Sequence, residues 1–256
     1  MRFINNYWYF ETYTAQGGFQ KGMKTEWGGC GVIKNKERLK HLFLCCKKGK
    51  FDIVCLIDNK FYMKKLRNRY FILRHGESKA NVANILLSHP KEGIVSFGLS
   101  PKGKKQVQVS VSKNKKSGLL GSDIIIYSSD FLRAKETAQI ARKLLGIKKI
   151  NFHKNLRERY FGKFDKTSLD NIKIAWEHDA KNPDHKHKGV ESPNKVLKRT
   201  LALIARLEKK YKGKKILLVS HGDVLQILHT HASGKSVSQH RQIPHLETAE
   251  IREIAF

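Results

Sequence analysis

Two apolar runs in this 256-residue chain end in His-Gly: Phe71-Ile72-Leu73 leads into Arg74-His75-Gly76, and Leu217-Leu218-Val219 leads into Ser220-His221-Gly222. A neutral imidazole can act as a nucleophile or a base, and a following glycine lets the backbone turn tightly into a helix. A third run, Ile124-Ile125-Ile126-Tyr127, ends in Ser128-Ser129-Asp130, with Arg133 in the first turn of the helix expected next. Glu158 follows a fourth short run, within Leu156-Arg157-Glu158-Arg159-Tyr160-Phe161-Gly162. In open α/β sheets the ligand crevice lies beyond the carboxyl ends of the strands, so all of these residues can reach one pocket. Two imidazoles, two guanidinium groups (Arg74 and Arg133) and one carboxyl then converge. That set can attack phosphorus, hold its oxygens and protonate a leaving group.

The elements that must carry these residues alternate strand and helix from Tyr70 onward, the pattern of a mainly parallel sheet covered on both faces. Strands are expected at 71–73, 123–127, 150–153, 216–219 and 249–254. Helices are expected at 79–87, 101–112, 131–145 and 224–231, with a further one at 168–180 inside a polar stretch, 160–189, that reads as an insertion over the site. Ser100-Pro101 and Ser192-Pro193 each supply an N-cap and a favoured first helical residue. After Pro193, the stripe Val196, Leu197, Leu201, Ile204 and Leu207 has the period of a core-facing helix.

Residues 1–62 show no sustained period of 3.6 or 2. Their apolar pieces at 42–46 and 53–57 suit short strands but are too few for an independent core. An extension, a linker, or sequence upstream of a start at Met63 would all look like this. The expected division is an N-terminal extension, 1–62, irregular or disordered, and a domain at 63–256.

Composition removes other mechanisms. All four cysteines, Cys30, Cys45, Cys46 and Cys55, lie in that first segment, at spacings that fit neither a zinc site nor a redox pair, and read as reduced thiols. A thiolate nucleophile is therefore excluded from the remainder of the chain. No long apolar span or secretory start is seen, which suggests a soluble, cytoplasmic protein without a membrane partner. The formal charge of +29 suits either a polyanion binder or an enzyme acting on phosphorylated substrates. The excess is spread along the chain, 11 Lys or Arg against 5 Asp or Glu in the first 62 residues included, so no nucleic-acid face is expected. His185-Lys186-His187 and His229-Thr230-His231 lack accompanying ligands and read as solvated histidines, so no metal and no cofactor is expected.

Taken in order, Arg74-His75-Gly76-Glu77-Ser78 with Asn81, Tyr127-Ser128-Ser129-Asp130 with Arg133 and Glu136-Thr137-Ala138, Leu156-Arg157-Glu158 with Gly162, Gly189-Val190-Glu191-Ser192, and Ser220-His221-Gly222 resemble the histidine phosphatase superfamily, in its phosphoglycerate-mutase-like branch. The resemblance runs from about Tyr70 to Ile254. It implies a three-layer α/β/α fold around a mainly parallel central sheet, and a phosphohistidine formed on His75. It further implies Arg74, Arg133, Asn81 and His221 as phosphoryl ligands, His221 most usefully as a cation, and Glu158 as the general acid. Ser78 either bonds phosphate or caps the next helix. Glu191 orients Arg74 or the helix after it, and Asp223 is read as a helix cap.

Cofactor-dependent mutases of that family carry a longer insertion after the glutamate. The shorter one here favours hydrolysis of a phosphomonoester, on a small molecule or a phosphoprotein. The alternatives are a phosphoglycerate mutase and a noncatalytic phosphate- or polyanion-binding protein. Lys163, Lys166, Trp176 and His178, with residues 85–97, are candidates for substrate recognition.

Overall fold

In the computed structural model, residues 66–256 are described in full, whereas for residues 1–65 only the backbone of short strands is given. Among these, His41–Lys47 pairs antiparallel with Lys50–Ile57, at the two apolar pieces expected to be strands. The four cysteine side chains lie outside the described residues. The chain divides into two units between Lys64 and Lys65.

The second unit is built on a five-stranded sheet. Its strands are β1 (Arg69–Arg74), β2 (Ile125–Ser128), β3 (Ile150–Phe152), β4 (Lys215–Ser220) and β5 (Ile251–Ile254), in the order β3-β2-β4-β1-β5. The first four run parallel and β5 is an antiparallel edge. The central strands β1 and β4 are apolar without alternation because both of their faces are covered. On one face Phe71, Leu73, Leu217 and Val219 pack against α3 (Pro101–Lys116) and α4 (Leu132–Leu145) through Val107, Val111, Ala134, Ala138 and Leu145. Alternation along the strands turns Ile72 and Leu218 to the other face, covered by α6 (Pro193–Lys210) and α7 (Gly222–Ala232).

The caps form where the sequence placed them. Ser100 Oγ accepts the Gly103 N–H and Ser192 Oγ the Lys195 N–H, while Gly146 ends α4 at φ 72°, a conformation costly for any residue with a Cβ. The helix expected at 79–87 stops early, as α1 (Lys79–Val82), because Asn84 takes φ 53°. That turn leads Leu86 into backbone hydrogen bonds with Lys166 and Thr167 of the insertion. After α2 (Pro90–Gly93) there are only 3₁₀ turns and α5 (Ile172–Lys181) in or beside that insertion, held by a small second core of Leu86, Phe161, Phe164, Ala175 and Val190. The last strand starts at Ile251 rather than 249, since Ala249 sits at φ 60°.

Two features of this frame position the strand ends. Arg74 pairs opposite Ser220 across the β1–β4 ladder, and His75 N–H donates to Ser220 O, so His75 and His221 leave the sheet side by side. Gly76 and Gly103 also let the β1 end press onto the first turn of α3: a Cβ on Gly76 would meet Gly103 O, and one on Gly103 would meet Glu77 O. Gly103→Ala is therefore expected to destabilise the protein by about 1–3 kcal/mol, with urea unfolding as the measurement; a variant as stable as wild type would show that this approach is not tight.

Candidate active site

His75 is buried at the end of β1, and its ring geometry determines its proton. Arg133 Nε–H donates to His75 Nε2 at 3.0 Å, so that nitrogen carries a lone pair. The other nitrogen, Nδ1, lies 2.7 Å from Gly76 O, an acceptor only, and must hold the hydrogen. His75 is thus a neutral Nδ1–H tautomer with its lone pair on Nε2, and it lines the cavity. Burial, then Arg133 and Arg74, hold its pKa well below the ordinary histidine range, against the opposing Gly76 carbonyl. Desolvation is the larger cause and the two arginines the smaller.

The motif residues around Arg133 fix this arrangement. Thr137 Oγ1 accepts Gly76 N–H and donates to Arg133 O, tying α4 to the β1 end. Glu136 accepts Leu99 N–H at 2.6 Å and holds the loop before α3. Arg74 NH1 donates to Leu246 O at 2.7 Å and lies 2.9 Å from His245 Nε2. A Cβ on Gly222 would come within 3.2 Å of the Arg74 guanidinium carbon, so a side chain there would press on that group.

His221 is fully buried, 5.2 Å from His75 between ring centres. Its Nε2 lies 2.9 Å from Ser129 Oγ, which already accepts Phe131 N–H. Where the serine hydroxyl donates to Nε2, the hydrogen of His221 sits on Nδ1. That atom has no partner among the described residues and stands 3.6 Å from Glu158 Oε2. Burial, then Arg133 and His75, lower the His221 pKa well below its ordinary value, so the expected cation gives way to a neutral donor. Arg74 Nε and Arg133 NH1 are likewise buried without a partner. Two orphan guanidinium donors on residues that line one cavity, with the His221 ring close by, make a site for an anion.

Glu158 projects from the loop after β3, its side chain 12% exposed, with Oε1 accepting Arg159 N–H and Oε2 lying 3.4 Å from Arg133 NH2. Burial pushes its carboxyl up to about 7, against the pull of Arg133 and with help from Asp223. Arg199 donates to Asn155 O and Glu158 O, and Ser220 Oγ donates to Leu156 O, so the loop is clamped from α6 and β4. Glu191 pairs with Arg199, not with Arg74 as was one expectation.

Ser78 caps α1: its hydroxyl hydrogen goes to Asn81 Oδ1 while its oxygen accepts Asn81 N–H. Asn81 lines the cavity with its Nδ2 free of hydrogen bonds to described residues. The ligand atoms of His75, Glu158 and His221 lie within 4.8 Å of one another, close enough for a metal ion. The adjoining Arg74 and Arg133 favour an anion there instead.

Sequence reasoning missed what lies behind Glu158. Arg159 is wholly buried, bidentate with Asp179 at 2.6 Å for each bond, and 3.0 Å from Asp223. His185 and His240 join Asp179 at 2.6 and 3.0 Å. Burial alone would raise the Asp179 carboxyl; hydrogen bonds from His240, Arg159 and His185 outweigh it and hold the pKa far below the usual range. His185 is therefore buried and hydrogen-bonded to Asp179 rather than solvated, and His187 stacks on His178 at 3.8 Å. Asp223 bonds Arg159 and Trp176 Nε1 instead of capping α7. These partners lie up to 64 residues from Arg159, so no local spacing announces them.

A family model for the histidine phosphatase superfamily (branch 1) matches residues 70–256. The chain belongs to that superfamily. This histidine phosphatase is similar to the metal-independent phosphoserine phosphatase of Arabidopsis thaliana, 26% identical over 193 residues, covering 68% of this chain and 75% of that protein. It is also similar to the probable phosphoglycerate mutase GpmB of Salmonella paratyphi C, 32% identical over 163 residues, covering 62% and 71%. Among solved structures, a mycobacterial glucosyl-3-phosphoglycerate phosphatase with VO3 aligns with TM-score 0.59 at 23% identity, over 72% of this chain and 91% of that one. A phosphoserine phosphatase of Entamoeba histolytica with 3-phosphoglyceric acid aligns with TM-score 0.58 at 22%, over 73% and 89%. At these identities the structural likeness is one of fold. Family membership and the His75–Glu158–His221 cluster make the protein an enzyme, which removes the noncatalytic alternative. No helix among the described residues is long and apolar enough to cross a membrane.

Removing one partner of the buried ion-pair hub leaves an uncompensated charge in the interior. Asp179→Ala is expected to cost about 3–5 kcal/mol in unfolding free energy, measured by urea denaturation; a loss below roughly 1 kcal/mol would mean that the hub behaves as a surface pair.

Proposed function

We propose that residues 63–256 form a phosphomonoester phosphatase that works through a phosphohistidine on His75. The observation that carries the reading is the His75 tautomer, with its lone pair on Nε2, in a cavity that Arg74 and Arg133 also line, each with a guanidinium nitrogen unpartnered among the described residues. A phosphoryl dianion entering there draws the Arg133 guanidinium off Nε2 and onto its own oxygens. Arg74, Asn81 and His221 Nδ1–H supply the remaining hydrogen bonds. The exposed lone pair attacks phosphorus in line, forming N–P as the ester P–O bond breaks.

Glu158, with a carboxyl that titrates near 7, gives its proton to the leaving oxygen and as a carboxylate then takes one from water. That water attacks phosphorus, the N–P bond breaks, and His75 regains its neutral form. The raised pKa follows from burial, and it is what allows one carboxyl to serve both half-reactions near neutral pH. A mutase would use the same first step, but no observation at this site favours it.

Alkaline-quenched reactions with a radiolabelled aryl phosphate test the proposal. The wild type is expected to carry label on His75; His75→Ala carries none and is inactive, and Arg133→Ala lowers kcat/KM by roughly 10³-fold or more. Undiminished turnover in His75→Ala would overturn the reading.

The pH profile tests Glu158 separately. The general acid must be protonated for the first step, so kcat/KM for phosphoenzyme formation falls as pH rises through about 7. Glu158→Gln is expected to lose roughly 10²–10⁴-fold in rate and to lose that decline as well, since substrate ionisation affects both proteins alike. An unchanged profile in Glu158→Gln would exclude it as the acid.

A further inference from the structure

We propose that the enzyme prefers phosphomonoesters whose leaving alcohol is apolar and carries no second anionic group; this rests on the phosphatase reading above. The cavity is small, about 200 Å³, and its two ends differ in chemistry. Arg74, Arg133, His75 and Glu158 occupy one end. The rest of the lining is largely apolar, with Leu86, Leu87 and Phe161 buried and Ile85, Leu169, Ile172 and Trp176 partly exposed, beside the polar Ser78, Asn81, Asp223 and His245.

Among the described residues no lysine lines this cavity, and the arginines that line it are the two that flank His75. The basic residues that looked suited to recognition lie elsewhere: Lys163 and Lys166 are exposed, Lys166 is paired with Glu92 at 2.6 Å, and His178 stacks on His187. Trp176 alone of those candidates reaches the cavity, together with part of 85–97. It is held in place by its Nε1–H bond to Asp223 and by Arg241, whose guanidinium lies 3.7 Å from the ring centre on one face. The remaining ring surface is a rigid apolar platform.

Asp223 adds a repulsive element. Its carboxylate lines the cavity and shares the single guanidinium of Arg159 with Asp179, which takes two of that group's bonds. A carboxylate or second phosphate on the leaving group would be desolvated beside Asp223, whose guanidinium partner Arg159 is already shared with Asp179, and would compete with the transferring phosphoryl group for Arg74 and Arg133. An apolar leaving group meets Leu86, Phe161 and Trp176 instead. Selection by an unpaired charge and selection by apolar contact therefore act in the same direction.

The test compares 2-phenylethyl phosphate with 3-phosphoglycerate, both alkyl esters, so that leaving-group acidity does not dominate. The wild type is expected to show kcat/KM at least about tenfold higher for the phenylethyl ester. Ile172→Lys, a partly exposed position in the lining, is expected to narrow that ratio by about tenfold, chiefly through KM. Equal or reversed preference in wild type, or an unchanged ratio in the lysine variant, would overturn the proposal. Calorimetric binding of both esters to His75→Ala reads the same preference without turnover. If wild type hydrolyses neither ester while His75→Ala still prefers the phenylethyl one, the phosphatase reading fails and the specificity stands.

Discussion

The hydrogen bond from His75 Nδ1–H to the carbonyl of Gly76 is the constraint on which the site depends. It assigns the proton of the imidazole, and with it the nitrogen that can attack. The carbonyl points correctly only because the peptide after His75 is held from several sides. Thr137 takes the Gly76 N–H, and α3 comes close enough at Gly103 that neither glycine has room for a Cβ. Register does the rest, since pairing Arg74 with Ser220 sets the second imidazole beside the first. A slip of one residue in β1 would turn His75 to the opposite face of the sheet.

Around that bond, charge is arranged in two layers with opposite tasks. In the inner layer cations outnumber anions, with two guanidinium groups, two neutral imidazoles and one carboxyl that burial keeps partly protonated near neutral pH. The outer layer reverses the balance, placing Asp179 and Asp223 on one buried guanidinium. The layers touch at Glu158, whose neighbour in sequence is the hub arginine and whose carboxyl is raised further by Asp223. A structural ion-pair cluster thereby takes part in tuning the acid, and it fixes Trp176 at the cavity wall as well.

Local signals were legible in the sequence wherever the physics is local. Strands running into His-Gly, the Ser-Pro starts of α3 and α6, and Gly146 at the end of α4 each follow from residues within one or two turns. The convergence of Arg74, His75, Arg133, Glu158 and His221 was legible too, because strand ends in a parallel sheet share one edge. What escaped depended on partners far apart along the chain. Arg159 meets Asp179 and Asp223, Glu191 meets Arg199, and Asp223 meets Trp176, and none of these pairs has a spacing that marks it. The early end of α1 escaped because it accompanies a left-handed turn at Asn84 and the pairing of Leu86 with Lys166 and Thr167, far along the chain. Protonation states were beyond the sequence as well: Ser129 looks like one more polar loop residue until His221 Nε2 is seen beside its hydroxyl.

The most direct test of the central constraint is ¹⁵N NMR of the His75 side chain in the free enzyme, assigned with a His75→Gln control. The account predicts a neutral ring protonated at Nδ1 and unprotonated at Nε2, with its titration displaced below the ordinary histidine range. A ring protonated at Nε2, or one that titrates within that range, would contradict it.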